Sequence, residues 1–237
     1  MSRFAIVLAL CVLSIDLEAT EHDWLIEPGV RIGPINGETS EADLRAIFGE
    51  SAVRDGHIHL GEGETVPGTV LFADESGSRL EVVWTEQSRT MPKYVRITCK
   101  SEECAKSKWR TLEGISVGSR LREIEKLNGY PFRLTGFAWD YAGGITSYGP
   151  YGRLGRGNCS DDASRTAGYQ MTIRLAPNLE SREMPEYRQV LGDRVFSSGH
   201  PAMQAMNPRV YQIEVWLSCS TPDPRQSIID TDDGSQR

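Results

Sequence analysis

A helix pattern that starts at serine and ends at glycine occurs twice in this sequence, and it limits the possible folds more than any other feature. The first copy is a Gly-x-x-Ile-Gly turn at residues 29–33, followed by the helix pattern at residues 40–49. The second copy is a Gly-x-x-Val-Gly turn at residues 114–118, followed by the helix pattern at residues 119–129. Serine accepts hydrogen bonds from the free N–H groups that start a helix, and glycine readily adopts the left-handed conformation that ends one. The sequence therefore predicts two similar units, each with one short helix.

Apolar residues lie at matching places in the two helix patterns. Counted back from the final glycine, Leu44 matches Ile124 and Ile47 matches Leu127. Residues three apart lie on the same side of a helix, so each pair forms one apolar face.

Segments of alternating apolar and polar residues follow each helix pattern. Alternation with a period of two, interrupted by turn residues, is typical of antiparallel sheets with one buried face. The chain is thus predicted to be an α+β protein, with tandem short-helix plus antiparallel β-sheet units at residues 20–108 and 109–219. The predicted strands are residues 69–72, 80–84 and 94–99 in the first unit and residues 132–141, 171–175 and 211–219 in the second.

The second unit also contains insertions. Residues 142–168 are rich in Gly, Ser and Asp and are predicted to form a long loop. Residues 184–191 have a helix pattern, and the proline and Asn-Pro pair within residues 197–208 frame one or two further helical turns.

The first nineteen residues have the pattern of a secretory signal peptide. Arg3 supplies a positive charge, residues 4–13 are apolar, and Ala19 is a small residue suited to cleavage. The apolar run is too short to cross a bilayer, which needs about 20 residues. A buried N-terminal strand or an uncleaved anchor is the alternative. The sequence therefore predicts a signal peptide at residues 1–19 and a periplasmic or secreted mature protein.

The chain is acidic, with a formal net charge of −7 at pH 7, and it has no basic run. Such a chain repels phosphate backbones, which argues against nucleic acid as a partner. No segment after the signal peptide is apolar enough to span a membrane as a helix. The polar and acidic tail at residues 220–237 is predicted to be disordered. No cofactor is expected, and the sequence does not indicate an oligomeric state.

The cysteines of the predicted mature chain suggest disulfide bonds. An even number of cysteines in an exported protein predicts two disulfides. Cys99–Cys104 is the favoured pair, because a short polar loop separates the two residues, and Cys159–Cys219 then follows by elimination. The other pairings remain open. A metal site of four thiolates is disfavoured, because the spacing contains no Cys-x-x-Cys pair. The four cysteines are Cys99, Cys104, Cys159 and Cys219.

The repeated unit resembles two protein families. A Gly-x-[Ser/Thr]-x-x-[Glu/Asp]-[Val/Leu]-x-x-x-[Leu/Phe]-Gly signature carries the resemblance, with its nearest matches at residues 40–49 and 118–129. The arrangement is similar to tandem β-lactamase-inhibitor proteins and to the small lipoprotein of the outer-membrane barrel-assembly machinery, which has one such unit. The segment at residues 34–39, inserted between glycine and helix, departs from that pattern. Both families bind proteins, so the resemblance implies a binding role. Residues 129–140 and 200–211 also resemble parts of secreted bacterial proteins and imply no activity.

Few residues suggest catalysis or a metal site. His57 and His59 would project from one face of a strand, which suits a metal ion, but a solvated strand face is the favoured interpretation. The glycine-rich segment at residues 152–157 lacks the Lys-Ser/Thr of a phosphate-binding loop and is interpreted as a plain loop. A pocket that joins Asp140 or His200 to another titratable group would indicate an enzyme. A secreted hydrolase with a site in the cleft between the two units is the alternative function.

Aromatic residues provide the stronger functional hypothesis. On a strand, Phe137, Trp139 and Tyr141 would face the same way, and Trp216 lies on the polar face of the last predicted strand. Aromatic rings are favoured at the centres of protein interfaces. The alternative, which is the commoner outcome, is a bulge at Gly136 that returns the rings to the core. We therefore expect an exported, non-enzymatic protein-binding module, an inhibitor or an envelope assembly factor, that binds a protein partner through these four residues.

Overall fold

The structure is a computed structural model that describes three stretches of the chain: residues 23–99, 107–154 and 170–217. Several predicted features lie outside these stretches: the signal peptide, the acidic tail, Cys104, Cys159 and Cys219. Export and both disulfide pairings therefore stay predictions. Within the described stretches, no helix combines the length and apolar character needed to cross a membrane.

The described elements are short helices and mostly short strands. In chain order the strands are β1 (Leu25–Glu27), β2 (Arg31–Ile32), β3 (Ile35–Asn36), β4 (Val53–Gly61), β5 (Glu64–Leu71), β6 (Leu80–Trp84), β7 (Pro92–Thr98), β8 (Arg110–Thr111), β9 (Arg133–Thr135), β10 (Ile145–Ser147), β11 (Met171–Ala176), β12 (Val195–Ser197) and β13 (Arg209–Trp216). The α-helices are α1 (Glu41–Phe48), α2 (Leu121–Asn128), α3 (Leu179–Glu183) and α4 (Pro201–Met206), and 3-10 helices lie at Glu50–Ala52 and Pro185–Val190.

The strands form three sheets. The largest has six antiparallel strands in the order β11-β13-β7-β6-β5-β4, and a smaller antiparallel sheet has the order β10-β9-β12. The third sheet has the order β3-β2-β1-β8, in which β1 and β8 pair in parallel. The α+β class is confirmed, and all six predicted strands overlap described strands. In the segment at residues 132–141, however, the only strand is the three-residue β9.

The first predicted helix has the predicted ends. The Ser40 side chain accepts the Asp43 N–H, the Asp43 carboxylate accepts the Ser40 N–H, and Gly49 ends the helix. The second helix ends as predicted at Gly129, in the left-handed conformation, but its N-terminal cap is Arg120 rather than a serine. There the Glu123 carboxylate accepts the Arg120 N–H at 2.8 Å, so an acidic side chain binds the free backbone donor.

The predicted apolar faces of the two helices are only half buried. Leu44 and Ile124 are fully buried, whereas Ile47 and Leu127 are exposed. In α2 the buried set is instead Leu121, Ile124 and Asn128, at a spacing of three and then four residues. The three-residue spacing correctly predicted that Leu44 and Ile124 are buried. Ile47 and Leu127 are exposed because the last turn of each helix lies at the surface.

One hydrophobic core extends across the boundary predicted between residues 108 and 109. Strand β13 pairs with β7, with Ile213 opposite Ile97 and Val215 opposite Val95, so the largest sheet takes strands from both predicted units. The same buried cluster contains Leu44 from α1 and residues from α2. The two units therefore share a sheet and a core.

Both helical segments predicted in the C-terminal half are present, one of them in a different form. The segment at residues 184–191 forms the 3-10 helix Pro185–Val190, with proline in its first position. The segment at residues 197–208 contains α4, whose first turn is capped by His200 and which ends at Asn207.

A two-stranded arm extends from the largest sheet. Strand β5 pairs with β6 only over Thr69–Leu71, so residues 56–68 of β4 and β5 continue as a hairpin, which we call the arm. Gly56 and Gly68 face each other at its base, and a Cβ on Gly68 would lie 2.3 Å from Ile58 Cδ1 and 2.7 Å from the Val82 carbonyl oxygen. The missing side chains let the arm bend back over the outer face of the sheet, the face opposite the main core.

Candidate functional site

Phe137 lies in the core, which contradicts its predicted place on a binding surface. Its side chain is 2% exposed, and its ring stacks on the Tyr187 ring at 6.3 Å between centroids. Its N–H donates to the Val190 carbonyl at 2.9 Å, and its own carbonyl accepts the Gly192 N–H at 2.9 Å. The ring is held against the 3-10 helix and is inaccessible to a partner.

The prediction of one aromatic face is wrong because the segment that carries it is not a continuous strand. Strand β9 ends at Thr135, and Ala138 has a φ of 65°, in the left-handed region that breaks the alternation of faces. Gly136 permits the turn, since a Cβ there would lie 2.5 Å from the Gly192 carbonyl oxygen. The three rings consequently have different surroundings.

Trp216 lies on the outer face of the sheet, as predicted, but the arm covers it. Its ring packs on the Tyr94 ring at 4.9 Å between centroids. The two rings belong to a small apolar cluster, which we call the arm cluster. Apolar side chains of the arm pack against the two rings in this cluster. The members are Ile58, Leu60, Val66, Val83, Tyr94 and Trp216. The ring is therefore half-buried within the chain itself.

Trp139 and Tyr141 lie where the tip of the arm meets the rest of the molecule. Their rings contact edge to face at 5.6 Å, and the Arg174 guanidinium lies over the Tyr141 ring at 5.2 Å. A Cβ on Gly61 would lie 3.6 Å from the Tyr141 hydroxyl oxygen, so the arm tip packs on this ring. Tyr141 is 40% exposed, and the pair forms an anchorage for the arm.

The two residues considered for catalysis have structural contacts. The Asp140 carboxylate accepts the Glu62 N–H at 3.2 Å and so fastens the arm tip. The Nδ1 atom of His200 accepts the Ala202 N–H at 3.1 Å and caps α4. Neither contact joins a second titratable side chain.

A row of charged side chains crosses the outer face beside the arm cluster. Strand pairing places Arg96 between Glu81 on β6 and Glu214 on β13. Arg96 donates from Nε to the Glu81 carboxylate at 2.9 Å, and Arg79 donates to its other oxygen at 2.8 Å. Arg96 and Glu81 are 6% and 8% exposed. This ion pair is buried, and both oxygens of the Glu81 carboxylate accept hydrogen bonds.

Glu214 is the less satisfied carboxylate of the row. Its nearest contact with Arg96 is 3.7 Å, and Gln212 donates to it at 2.9 Å. Burial raises the pKa of Glu214 above its ordinary value, although the positive charges of Arg174 and Arg96 oppose the shift. The Glu214 carboxyl group therefore holds its proton more tightly in the folded chain than an ordinary glutamate does. It lies on β13, between β11 and β7.

This shift predicts a pH-dependent stability. Because the folded pKa of Glu214 is raised, the folded chain binds its proton more tightly than the unfolded chain, so stability falls as pH rises from about 4.3, the unfolded value, through the folded pKa. Glu214→Gln removes the titration. Relative to wild type, the variant should gain free energy of unfolding across that range and keep the gain at higher pH. Urea unfolding at several pH values measures the difference.

Glu183→Gln is the matched control, because Glu183 is an exposed glutamate on α3. It should change the free energy of unfolding by less than about 0.5 kcal/mol, as is usual for an exposed side chain. A Glu214→Gln difference that is the same at every pH, or that falls with rising pH, would contradict the assigned direction of the pKa shift.

His57 and His59 lie on β4, as the sequence indicates, and both side chains are exposed. Ile58 between them points the other way, into the arm cluster. Within the described residues, no three histidine, cysteine or acidic side chains of this chain come together as metal ligands. Both histidine side chains face solvent along the arm.

An exposed tyrosine pair lies beyond the C-terminal end of α2, and the sequence did not predict it. Tyr130 follows the helix-ending Gly129, Tyr151 lies in a turn, and their rings contact edge to face at 5.6 Å. Tyr151 is 73% exposed and Tyr130 is 38% exposed. The Arg153 side chain lies beside them, 3.4 Å from the position of a Cβ on Gly129. Tyr130, Tyr151, Arg153 and the adjoining Pro131 form what we call the tyrosine surface.

Asn128 holds the tyrosine surface in place from below. It is fully buried, and its Nδ2 atom donates to the carbonyls of Tyr130 at 2.6 Å and Tyr148 at 2.8 Å. Its Oδ1 atom accepts the Leu154 N–H at 3.1 Å, and its own carbonyl accepts the Arg153 N–H at 2.9 Å. A single buried amide therefore connects the two segments that carry the exposed rings. Of the predicted glycine-rich loop, residues 152–154 belong to this arrangement, and the rest lies outside the described residues.

Comparisons with known proteins identify no relative. The chain matches no protein-family model, no curated protein sequence and no solved structure. The resemblance of residues 40–49 and 118–129 to the inhibitor and assembly families therefore stays an expectation from the sequence.

Proposed function

We propose that this chain is an exported, non-enzymatic protein-binding module and that the tyrosine surface contacts its partner. The observation that carries the proposal is a pair of exposed tyrosines on two segments that the buried Asn128 joins by hydrogen bonds. Large aromatic side chains that are already positioned lose little conformational entropy on binding, so more of their contact energy contributes to affinity.

The composition of this surface favours a protein partner. Tyrosine and arginine are the residue types that most often dominate protein interfaces, and here Tyr130, Tyr151 and Arg153 adjoin one another. The groove beside Tyr130 is open, and it is lined by Arg122, Lys126 and the last turn of α2. A surface of projecting rings over an open groove fits a protein better than an enclosed small molecule.

The roles of the titratable residues also support binding over hydrolysis. Asp140 fastens the arm tip, and His200 caps a helix. Glu81 and Arg96 form a mutual ion pair. Each of these groups has a contact that explains its position without a substrate.

Tyr151→Ala is predicted to weaken partner binding strongly while leaving the fold intact. Removal of a central interface ring costs about 2 kcal/mol or more, roughly a thirtyfold loss of affinity. The thermal midpoint should change little, because the side chain is 73% exposed. The experiment compares capture of envelope proteins by immobilised wild type and variant, followed by titration of the captured partner.

Leu179→Ala provides the matched control. Leu179 is also 73% exposed but lies on α3, so its removal takes away a similar apolar area at another place. It should capture the partner as wild type does. Equal capture by wild type and Tyr151→Ala would contradict the proposed surface.

A further inference from the structure

Strand β4 presents an unusual edge. In the part of the chain that the structure describes, β4 is the last strand of the six-stranded sheet and pairs only with β5. Its free side carries backbone donors and acceptors that another strand can pair with. Along the arm, this edge bears His57 and His59, both of them exposed.

The orientation of the two histidines is fixed by their neighbour. Ile58 is 1% exposed and packs into the arm cluster, so the side chains on either side of it must point away from the molecule. His57 lies opposite Pro67 and His59 opposite Thr65, neither of which supplies a charged side chain. Two imidazoles about 7 Å apart along a strand leave room for one metal ion between their ring nitrogens.

Two ligands do not complete a metal site. Zinc in structural sites is bound by four ligands in a tetrahedron, and the described part of the chain gathers no third ligand here. Asp55 is on the same face, but its carboxylate is held by Arg89. A second copy of the chain can supply the two missing ligands.

We propose that a zinc ion joins two copies of this chain through His57 and His59, with their β4 edges paired antiparallel around Ile58. In that register, His57 of each copy lies opposite His59 of the other, and all four imidazoles share one face. Directly opposed residues of antiparallel strands have Cβ atoms about 5 Å apart. Four imidazoles at these spacings can surround one tetrahedral zinc ion.

Metal is what makes this pairing favourable. Each copy carries a net charge of −7, so two chains repel each other. The paired segment is only a few residues long, and a short two-stranded contact is marginal in water. Zinc supplies positive charge and four bonds at the centre of the contact, so dimerisation depends on the metal. The proposed zinc site lies on the arm, and its formation does not depend on the tyrosine surface.

The test measures molar mass by light scattering on the purified, non-reduced protein. In EDTA the protein should be a monomer. With zinc added, the mass should double at one zinc ion per two chains, and excess EDTA should reverse the change. His57→Ala and His59→Ala should each remain monomeric at the zinc concentration that fully dimerises the wild type.

His200→Asn is the matched control, because it removes a histidine elsewhere while keeping a side chain that can cap α4. It should dimerise as wild type does. Equal melting temperatures of all variants in EDTA verify that each is folded, since both β4 histidines are exposed. Three results would overturn the proposal: no mass change with excess zinc, one zinc bound per monomer, or dimerisation that survives both β4 substitutions.

Discussion

Glu81→Leu is expected to lower the free energy of unfolding by about 3–5 kcal/mol, because it leaves the buried Arg96 without its carboxylate. Arg96 is 6% exposed, its Nε donates a hydrogen bond to Glu81 at 2.9 Å, and its Nη2 lies 2.8 Å from the same carboxylate. With Glu81 removed, the desolvated Arg96 charge keeps, among the described residues, only the more distant Glu214 carboxylate, 3.7 Å away. Urea unfolding at neutral pH measures the loss.

A second substitution separates this explanation from a simple packing defect. Replacing both charges, as in Glu81→Leu with Arg96→Met, should recover most of the lost stability, because the buried guanidinium is removed together with its carboxylate. Arg79 also loses its contact with Glu81, but its side chain is partly exposed, so water can solvate its charge. Asp74→Ala gives the surface comparison. Asp74 binds Arg54 at 2.7 Å, but both side chains are more than half exposed, so the cost should stay within about 1 kcal/mol. A double variant as unstable as Glu81→Leu would contradict the charge-based explanation.

The parts of the fold that could be predicted from sequence are those determined by local chemistry. Ser40 and Gly49 bound the first helix because a cap requires only the residues next to it. Strand β13 was located because the alternation of buried Ile213 and Val215 with the more exposed Glu214 and Trp216 is visible within a few residues. The row of Glu81, Arg96 and Glu214 could not be found in this way, since it exists only after three separate strands pair in one register.

In the candidate sites, too, the features that depend on distant segments could not be predicted from the sequence. The parity argument for the aromatic segment assumed an extended chain, and the left-handed Ala138 invalidates it. The exposure of Tyr151 depends on hydrogen bonds that Asn128 makes to segments 20 or more residues away. The sequence signal that could have indicated it is the Gly-Pro-Tyr-Gly turn at residues 149–152, where a tyrosine at the tip of a turn is expected to meet solvent. The arm was missed because its bend depends on two glycines in different strands.

Phe137→Ala is expected to lower the free energy of unfolding by about 3–5 kcal/mol, because it removes a fully packed ring and leaves a cavity. The ring is 2% exposed and stacks on Tyr187. Phe137→Leu fills much of the same volume and should cost less than about 1.5 kcal/mol. Partner binding by folded Phe137→Leu should equal that of wild type, since the ring does not reach the surface.

Tyr141→Ala is the comparison for Phe137→Ala, because it removes a surface ring of the same aromatic segment. Tyr141 is 40% exposed and contacts the arm tip, so its loss should cost less stability than the loss of Phe137. The order of stabilities is therefore wild type, then Tyr141→Ala, then Phe137→Ala, which chemical denaturation measures directly. If Phe137→Ala instead unfolds at the wild-type midpoint and loses the partner, Phe137 belongs to a binding surface and the packing described for it is incorrect. Comparison of Phe137→Ala with Phe137→Leu distinguishes a core position from a binding-surface position, because leucine keeps most of the side-chain volume in the core and alanine does not.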